Sequence, residues 1–201
     1  MEDAPLVVPQ QHPIQLEVTD DLRRTRLTAF FRLLLAIPHF VWLALLGIVV
    51  VIAEIGNWFA TLIQGRSPEA IHGFLAVYLR YSTHVTAYTL LIADPYPGFG
   101  FINLKEDYPI DLHVAPPMEQ NRWTVFFRLL IAIPAMIVAY VLRSLSGILA
   151  LFSWVMAVLT AHVPEGIRNF AALALRFEMQ TYAYVGLVTP TYPSFDIGMT
   201  S

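Results

Sequence analysis

Whatever this chain folds into must accommodate two copies of one plan. Shifted by 96 positions, the sequence aligns with itself without gaps: Pro13-Ile14, Leu16 and Val18 return as Pro109-Ile110, Leu112 and Val114. The string Arg26 to Phe30-Phe31-Arg32 to Pro38 returns as Arg122 to Phe126-Phe127-Arg128 to Pro134. Trp58, Pro68-Glu69, Arg80, Tyr88 and Tyr96-Pro97 recur as Trp154, Pro164-Glu165, Arg176, Tyr184 and Tyr192-Pro193. About a third of the aligned positions are identical, far above chance for an ungapped offset. The repeats are assigned to residues 12–104 and 108–201.

Each copy carries a long apolar run, about Thr28 to Ile63 and Thr124 to Ala161. Composition says what solvent such runs need. Hydrophobic residues make up 57% of the 201 and charged residues 13%, where a soluble domain has about a quarter charged. With a mean hydropathy of +0.59, the chain reads as an α-helical integral membrane protein. The net charge of -3 and the lack of a long basic run exclude nucleic acid as a partner. Having no cysteine, the chain has no disulfide, thiolate metal site or cysteine nucleophile. Met1 to Asp21 lacks a basic segment followed by an apolar stretch, so no cleavable signal is expected.

Only about 20 residues are needed to cross a bilayer, so each run holds a span plus an excess. In copy one the excess, Asn57 to Ile63, is read as an interfacial or re-entrant segment beyond Trp58, with a hairpin of two short spans as the alternative. Ser153 to Ala161 is its counterpart. Ser67 as N-cap, Pro68 at the first helical position and Glu69 in the first turn predict a second helix, running to about Ala93, with Val188 as the equivalent end in copy two. Two membrane helices per module result. Alternating patterns at Pro13–Val18, Phe99–Leu104, Pro109–Val114 and Phe195–Met199 predict a small extramembrane sheet formed by termini and linker. Arg23, Arg24, Arg26, Arg32, Lys105, Arg122 and Arg128 outweigh Arg66 and Arg168 on the opposite loops. The positive-inside rule then puts both termini of this multi-pass chain in the cytoplasm.

The string Phe30-Phe31-Arg32-Leu-Leu-Leu-Ala-Ile-Pro38, with Trp58-Phe59, Arg80, Ala87-Tyr88 and Asp94-x-Tyr96-Pro97-x-Phe99, resembles a bacterial membrane family known as domain of unknown function 4389. The resemblance covers both copies. Copy two departs from it where Asp94 becomes Pro190, Trp58-Phe59 becomes Trp154-Val155 and Gly65-Arg66 becomes Ala161-His162. It implies tandem domains in a bacterial inner membrane and brings no activity or catalytic residue with it.

The candidate site residues are the intramembrane polar groups. Arg80, His84 and Tyr88 share one helical face, as do Arg176, Gln180 and Tyr184. An ionisable group within a span faces a bundle interior, a cavity or a partner. One reading is a polar seam for lipid headgroups, an anionic ligand or another subunit. The other is structural, with Arg80 and Arg176 pairing with helix ends, Glu54 or Glu178, or snorkelling to an interface. Arg32 and Arg128, one turn into their helices, are expected to snorkel to headgroups. Arg143, where copy one has Gly47, marks a partner-facing or broken region, or the turn of the hairpin alternative. His12, His39, His72, His84, His113 and His162 show no metal-ligand spacing, so neither metal nor cofactor is expected. Pro38 and Pro134 are expected to kink their helices. There is no Walker loop, nucleophile elbow or dinucleotide fingerprint. The expectation is a non-enzymatic accessory or scaffolding subunit, in contact with membrane lipids and other membrane subunits. A lipid- or amphiphile-binding protein or transport component using the Arg80 and Arg176 seams is the alternative.

Overall fold

The computed structural model describes residues 12–105 and 107–195. In chain order the elements are β1 (Ile14–Val18), α1 (Arg26–Gln64), α2 (Glu69–Thr89), β2 (Ile110–Val114), α3 (Arg122–Phe126), α4 (Arg128–Thr160) and α5 (Glu165–Val185). The fold is mostly helical.

The first apolar run forms one helix. Its 39 residues pass through Pro38 and through Glu54–Trp58 without a break, so α1 is about 58 Å long at 1.5 Å per residue. The chain makes no re-entrant turn at Asn57 to Ile63, and the alternative hairpin is absent. Asn57 explains why: its side chain leaves the helix, donating to Gly186 O and accepting from Ser67 Oγ at 2.7 Å. Asn57 thus ties the helix to its neighbours without opening it. The helix stops at Gly65, whose φ of 79° allows its N–H to reach Thr61 O, a left-handed cap that glycine adopts without a Cβ penalty. Ala161 ends α4 in the same way at φ 60°. Ser67, spent on Asn57, does not cap α2; Pro68 holds that position. In copy two the run is interrupted only at Phe127, between α3 and α4, and Arg143 lies within continuous helix. The second helices are shorter than expected, ending at Thr89 and Val185.

Among the described residues the sheet has two strands, where four were expected. β1 and β2 pair antiparallel with Leu16 opposite Leu112 at the centre. Phe99 to Leu104 is a turn, in which Asn103 Oδ1 accepts from the Phe99 N–H. Of the fourth expected strand, Phe195–Met199, Phe195 is not in a strand and the rest lies outside the described residues, as do Met1 to Gln11.

Contacts between the copies recur in pairs that exchange under the 96-residue shift. The Trp58 indole donates to Val125 O and the Trp154 indole to Ala29 O. The Gln120 N–H reaches Gly65 O as the Arg24 N–H reaches Ala161 O. The modules are thus related by an approximate two-fold axis through the Leu16–Leu112 pair, with α1 antiparallel to α4. The strands pack on α2 and α5 and touch neither α1 nor α4. Three layers follow, with the axis through all of them: the ribbon, then α2 and α5, then α1 and α4.

This arrangement sends the linker along the bundle. Asp94 binds Thr25 at the start of α1, and Gln120 binds Gly65 at its end. The segment between them travels the length of α1, and β2 crosses α2 near its middle. The ribbon therefore sits at mid-length, not at the helix ends.

The core lies between ribbon and second helices, where Ile14, Ile110 and Leu112 meet Leu75, Leu79, Leu175 and Met179. The outer layer is inverted in polarity. α1 buries Ala29, Arg32, Ala36, His39, Asn57 and Thr61, and exposes Leu33, Leu34, Ile37, Ile48, Ile52 and Ile55. In α4 the buried set includes Arg128, Ser146 and Ser153, while Leu129, Leu130, Ile137, Ile148 and Leu151 face outward. Both helices are long and apolar enough to cross a membrane, and only 17% and 22% of their most apolar stretches are buried. Among the described residues these two qualify; α2 and α5 do not.

Candidate functional site

Each module closes around a buried arginine. Arg32 donates to Tyr88 O at 2.9 Å, Ala93 O at 2.7 Å and Asp94 Oδ1 at 2.6 Å, with its guanidinium 4.4 Å from the Tyr88 ring centre. The carbonyls at the end of α2 have no partner within the helix, and a cation there also opposes the negative end of the dipole. Arg24 grips Leu91 O and Ile92 O from the other side. In copy two Arg128 lies 4.0 Å from the Tyr184 ring and donates to Thr189 O and Gln120 Oε1. Both Arg32 and Arg128 are 1% exposed. The expected snorkelling to headgroups is therefore replaced by an internal clamp.

The expected seam on α2 divides in two. Arg80 makes a bidentate pair with Asp111, at 2.6 and 2.5 Å. His84 Nε2 lies 2.9 Å from the same carboxylate, which also accepts from the Leu112 N–H. The Tyr108 ring stacks on His84. Tyr88, one turn on, belongs to the Arg32 clamp. Burial by itself would raise the Asp111 pKa, but His84, Arg80 and the Leu112 N–H hold it well below the carboxylate range. In copy two Gln180 holds Ile14 O and the Ser194 N–H, Arg176 is also engaged, and Tyr184 lies under Arg128. Arg80, His84 and Gln180 thus fasten the ribbon. The partner of Arg80 is Asp111, not Glu54 or Glu178. Asp111 carried a readable signal: an acid between Ile110 and Leu112 on a short apolar strand needs a counter-charge if the strand is buried.

Arg143 takes Glu178, at 2.7 and 3.0 Å, and Tyr182 adds a third bond to that carboxylate. His39 is fully buried, 2.8 Å from the Tyr81 hydroxyl and stacked on Phe99. Among the described residues no group of three His, Asp or Glu side chains could hold a metal ion.

A hollow of about 620 Å³ lies between the modules. Its walls come from α1, α2, α4 and α5. They are mostly apolar, with Glu54, Tyr78, Arg143, Glu178 and Tyr182 as the ionisable groups. The seam residues Arg80 and Arg176 do not line it.

No curated protein and no solved structure matches the chain. The family described as Domain of unknown function (DUF4389) matches at residues 26–100 and again at 122–196, one match per module and well over half of the chain. Arg32, Arg128, the tryptophans and the Tyr-Pro-x-Phe strings all lie inside the two matches. The chain thus belongs to the DUF4389 family, as two tandem copies of its domain.

Proposed function

We propose that the protein is a membrane-seated scaffold, with α1 and α4 lying along one leaflet and the ribbon layer on the aqueous side as a platform for other membrane subunits. The inverted polarity of α1 and α4 carries this reading. A helix that hides Arg, His and Asn and exposes Leu, Ile and Val is solvated better by lipid than by water.

The lengthwise placement has its own support. At about 58 Å, α1 is nearly twice the ~30 Å hydrocarbon core. Setting it upright would also draw the linker and an open-edged ribbon through the bilayer, where unpaired backbone groups find no partner. Laid flat, the two-fold axis stands along the membrane normal, and both modules meet the lipid with the same face. Exposed Arg23, Arg26, Arg66 and Arg122 then fall near helix ends at headgroup level, where phosphates attract them. This replaces the upright four-span arrangement expected from hydropathy.

The scaffolding role draws on how the buried charges are used. Arg24, Arg32, Arg80 and Asp111 all hold the chain to itself. Washing native membranes with alkaline carbonate, then extracting the chain gently for native mass spectrometry, tests both parts. The expected result is retention through the wash and release in fixed stoichiometry with a larger complex. Release by carbonate contradicts the membrane seat; a chain retained by lipid but always alone contradicts the scaffold.

A further inference from the structure

The hollow between the modules is where the duplication stops being symmetric. Under the 96-residue shift, Glu54 faces Ala150 and Tyr78 faces Ala174, while Arg143, Glu178 and Tyr182 face Gly47, Ser82 and Thr86. Every ionisable group on the wall therefore stands opposite a small or uncharged side chain in the other copy. Where α1 and α4 meet at their ends, by contrast, the tryptophan contacts of the two copies exchange under the shift. The pseudo-symmetry axis runs between α1 and α4, so this space would otherwise present two similar halves. It carries instead five ionisable groups with no ionisable counterpart across the axis.

The charges do not balance. Glu178 is neutralised by Arg143 and further bonded by Tyr182. Glu54 has neither a hydrogen bond nor an ion pair among the described residues, and the Tyr78 phenol lines the same cavity. Two glycines make room here. A Cβ on Gly186 would come within 3.0 Å of Glu54 Oε1, where copy one has Leu90, and one on Gly47 would sit 3.7 Å from the Tyr78 hydroxyl. The walls around these groups are Phe40, Leu43, Val50, Val51, Leu79 and Met136. At about 620 Å³ the space falls within the ~300–1,000 Å³ of small-molecule sites.

We propose that this cavity binds the headgroup of one membrane amphiphile bearing an amine, its ammonium against Glu54 and Tyr78 and its chains passing out between α1 and α4. An ammonium supplies the missing positive charge and donates to both oxygens. Arg143, whose side chain is 53% exposed, lies at the rim and can meet a phosphate while keeping Glu178. An anionic headgroup offers nothing to Glu54 and would leave its charge unopposed. Lipid enters from the α1–α4 face, so the inference rests on the membrane seat proposed above.

The test uses the full chain in nanodiscs of phosphatidylethanolamine and phosphatidylglycerol in equal amounts, followed by native mass spectrometry of the lipids retained. Wild type is expected to keep one phosphatidylethanolamine per chain in preference to phosphatidylglycerol. Glu54→Gln, isosteric and uncharged, should lower that preference roughly tenfold. Gly47→Leu, which fills the space beside Tyr78 and keeps every charge, should lower occupancy by either lipid. Unchanged melting of both variants separates loss of ligand from loss of fold. If Glu54→Gln keeps phosphatidylethanolamine as wild type does, or wild type keeps both lipids equally or neither, the site is overturned. A chain that fails to enter nanodiscs at all contradicts the membrane seat; one that enters and keeps no amine lipid contradicts the cavity alone.

Discussion

Arg32 and Arg128 hold equivalent positions yet are not energetically equivalent. Arg32 answers a carboxylate, Asp94, as well as two carbonyls. Arg128, where Asp94 has become Pro190, is buried against neutral acceptors and a tyrosine ring among the described residues. Removing one partner of a buried ion pair typically costs about 3–5 kcal/mol, whereas removing an incompletely compensated buried charge returns part of its desolvation. Unfolding in detergent should therefore show Arg32→Gln losing about 3 kcal/mol or more and Arg128→Gln less than about 2 kcal/mol. Asp111 makes a second case. Because its folded pKa is depressed, its contribution is complete above the ordinary carboxylate value of about 3.9 and drains away as pH falls below it. Asp111→Asn should cost about 2–3 kcal/mol at pH 7, and the gap from wild type should narrow on titrating toward pH 3. The arginines themselves were legible in the sequence, because charge is rare in apolar runs. Their partners were not: Asp94 and Asp111 lie in the linker, and nothing local says that it folds back along the helices.

At the scale of elements, apolar length and proline positions foretold the helices, but not their continuity. Asn57 looked like a break and acts as a tie to Gly186 O. The expected strand at Phe99–Leu104 alternates in hydropathy yet turns, because the glycines flanking Phe99 permit approaches an extended chain could not make. A Cβ on Gly100 would fall 2.5 Å from the Tyr81 ring, and one on Gly98 2.0 Å from Asn103 O. The helix ends offer a paired test. Gly65 and Ala161 share the left-handed conformation, which costs an L-residue roughly 1–2 kcal/mol. Gly65→Ala should destabilise and Ala161→Gly should stabilise, each by about 1 kcal/mol, measured by thermal unfolding in detergent.

For the whole molecule, the duplication was legible but the direction of its symmetry axis was not. Hydropathy alone suggests upright hairpins with loops gathered on one side, and the positive-inside rule then sorts the arginines into two faces. The fold joins the start of α1 to the end of α4 and the start of α3 to the end of α1. Charged loops thus occupy both ends of the helices, and the ribbon takes the middle. This pairing is long-range and arises from packing two similar modules face to face, so no local pattern encodes it. The absence of cysteine makes the consequence directly measurable. Single substitutions Glu17→Cys, Arg23→Cys and Arg66→Cys mark the ribbon and the two ends of α1, and each is labelled with a membrane-impermeant maleimide in intact cells and in inverted vesicles. A chain seated along one leaflet predicts that all three react from the same side. Reaction of the Arg23 and Arg66 positions from opposite sides would contradict it and return α1 to an upright span.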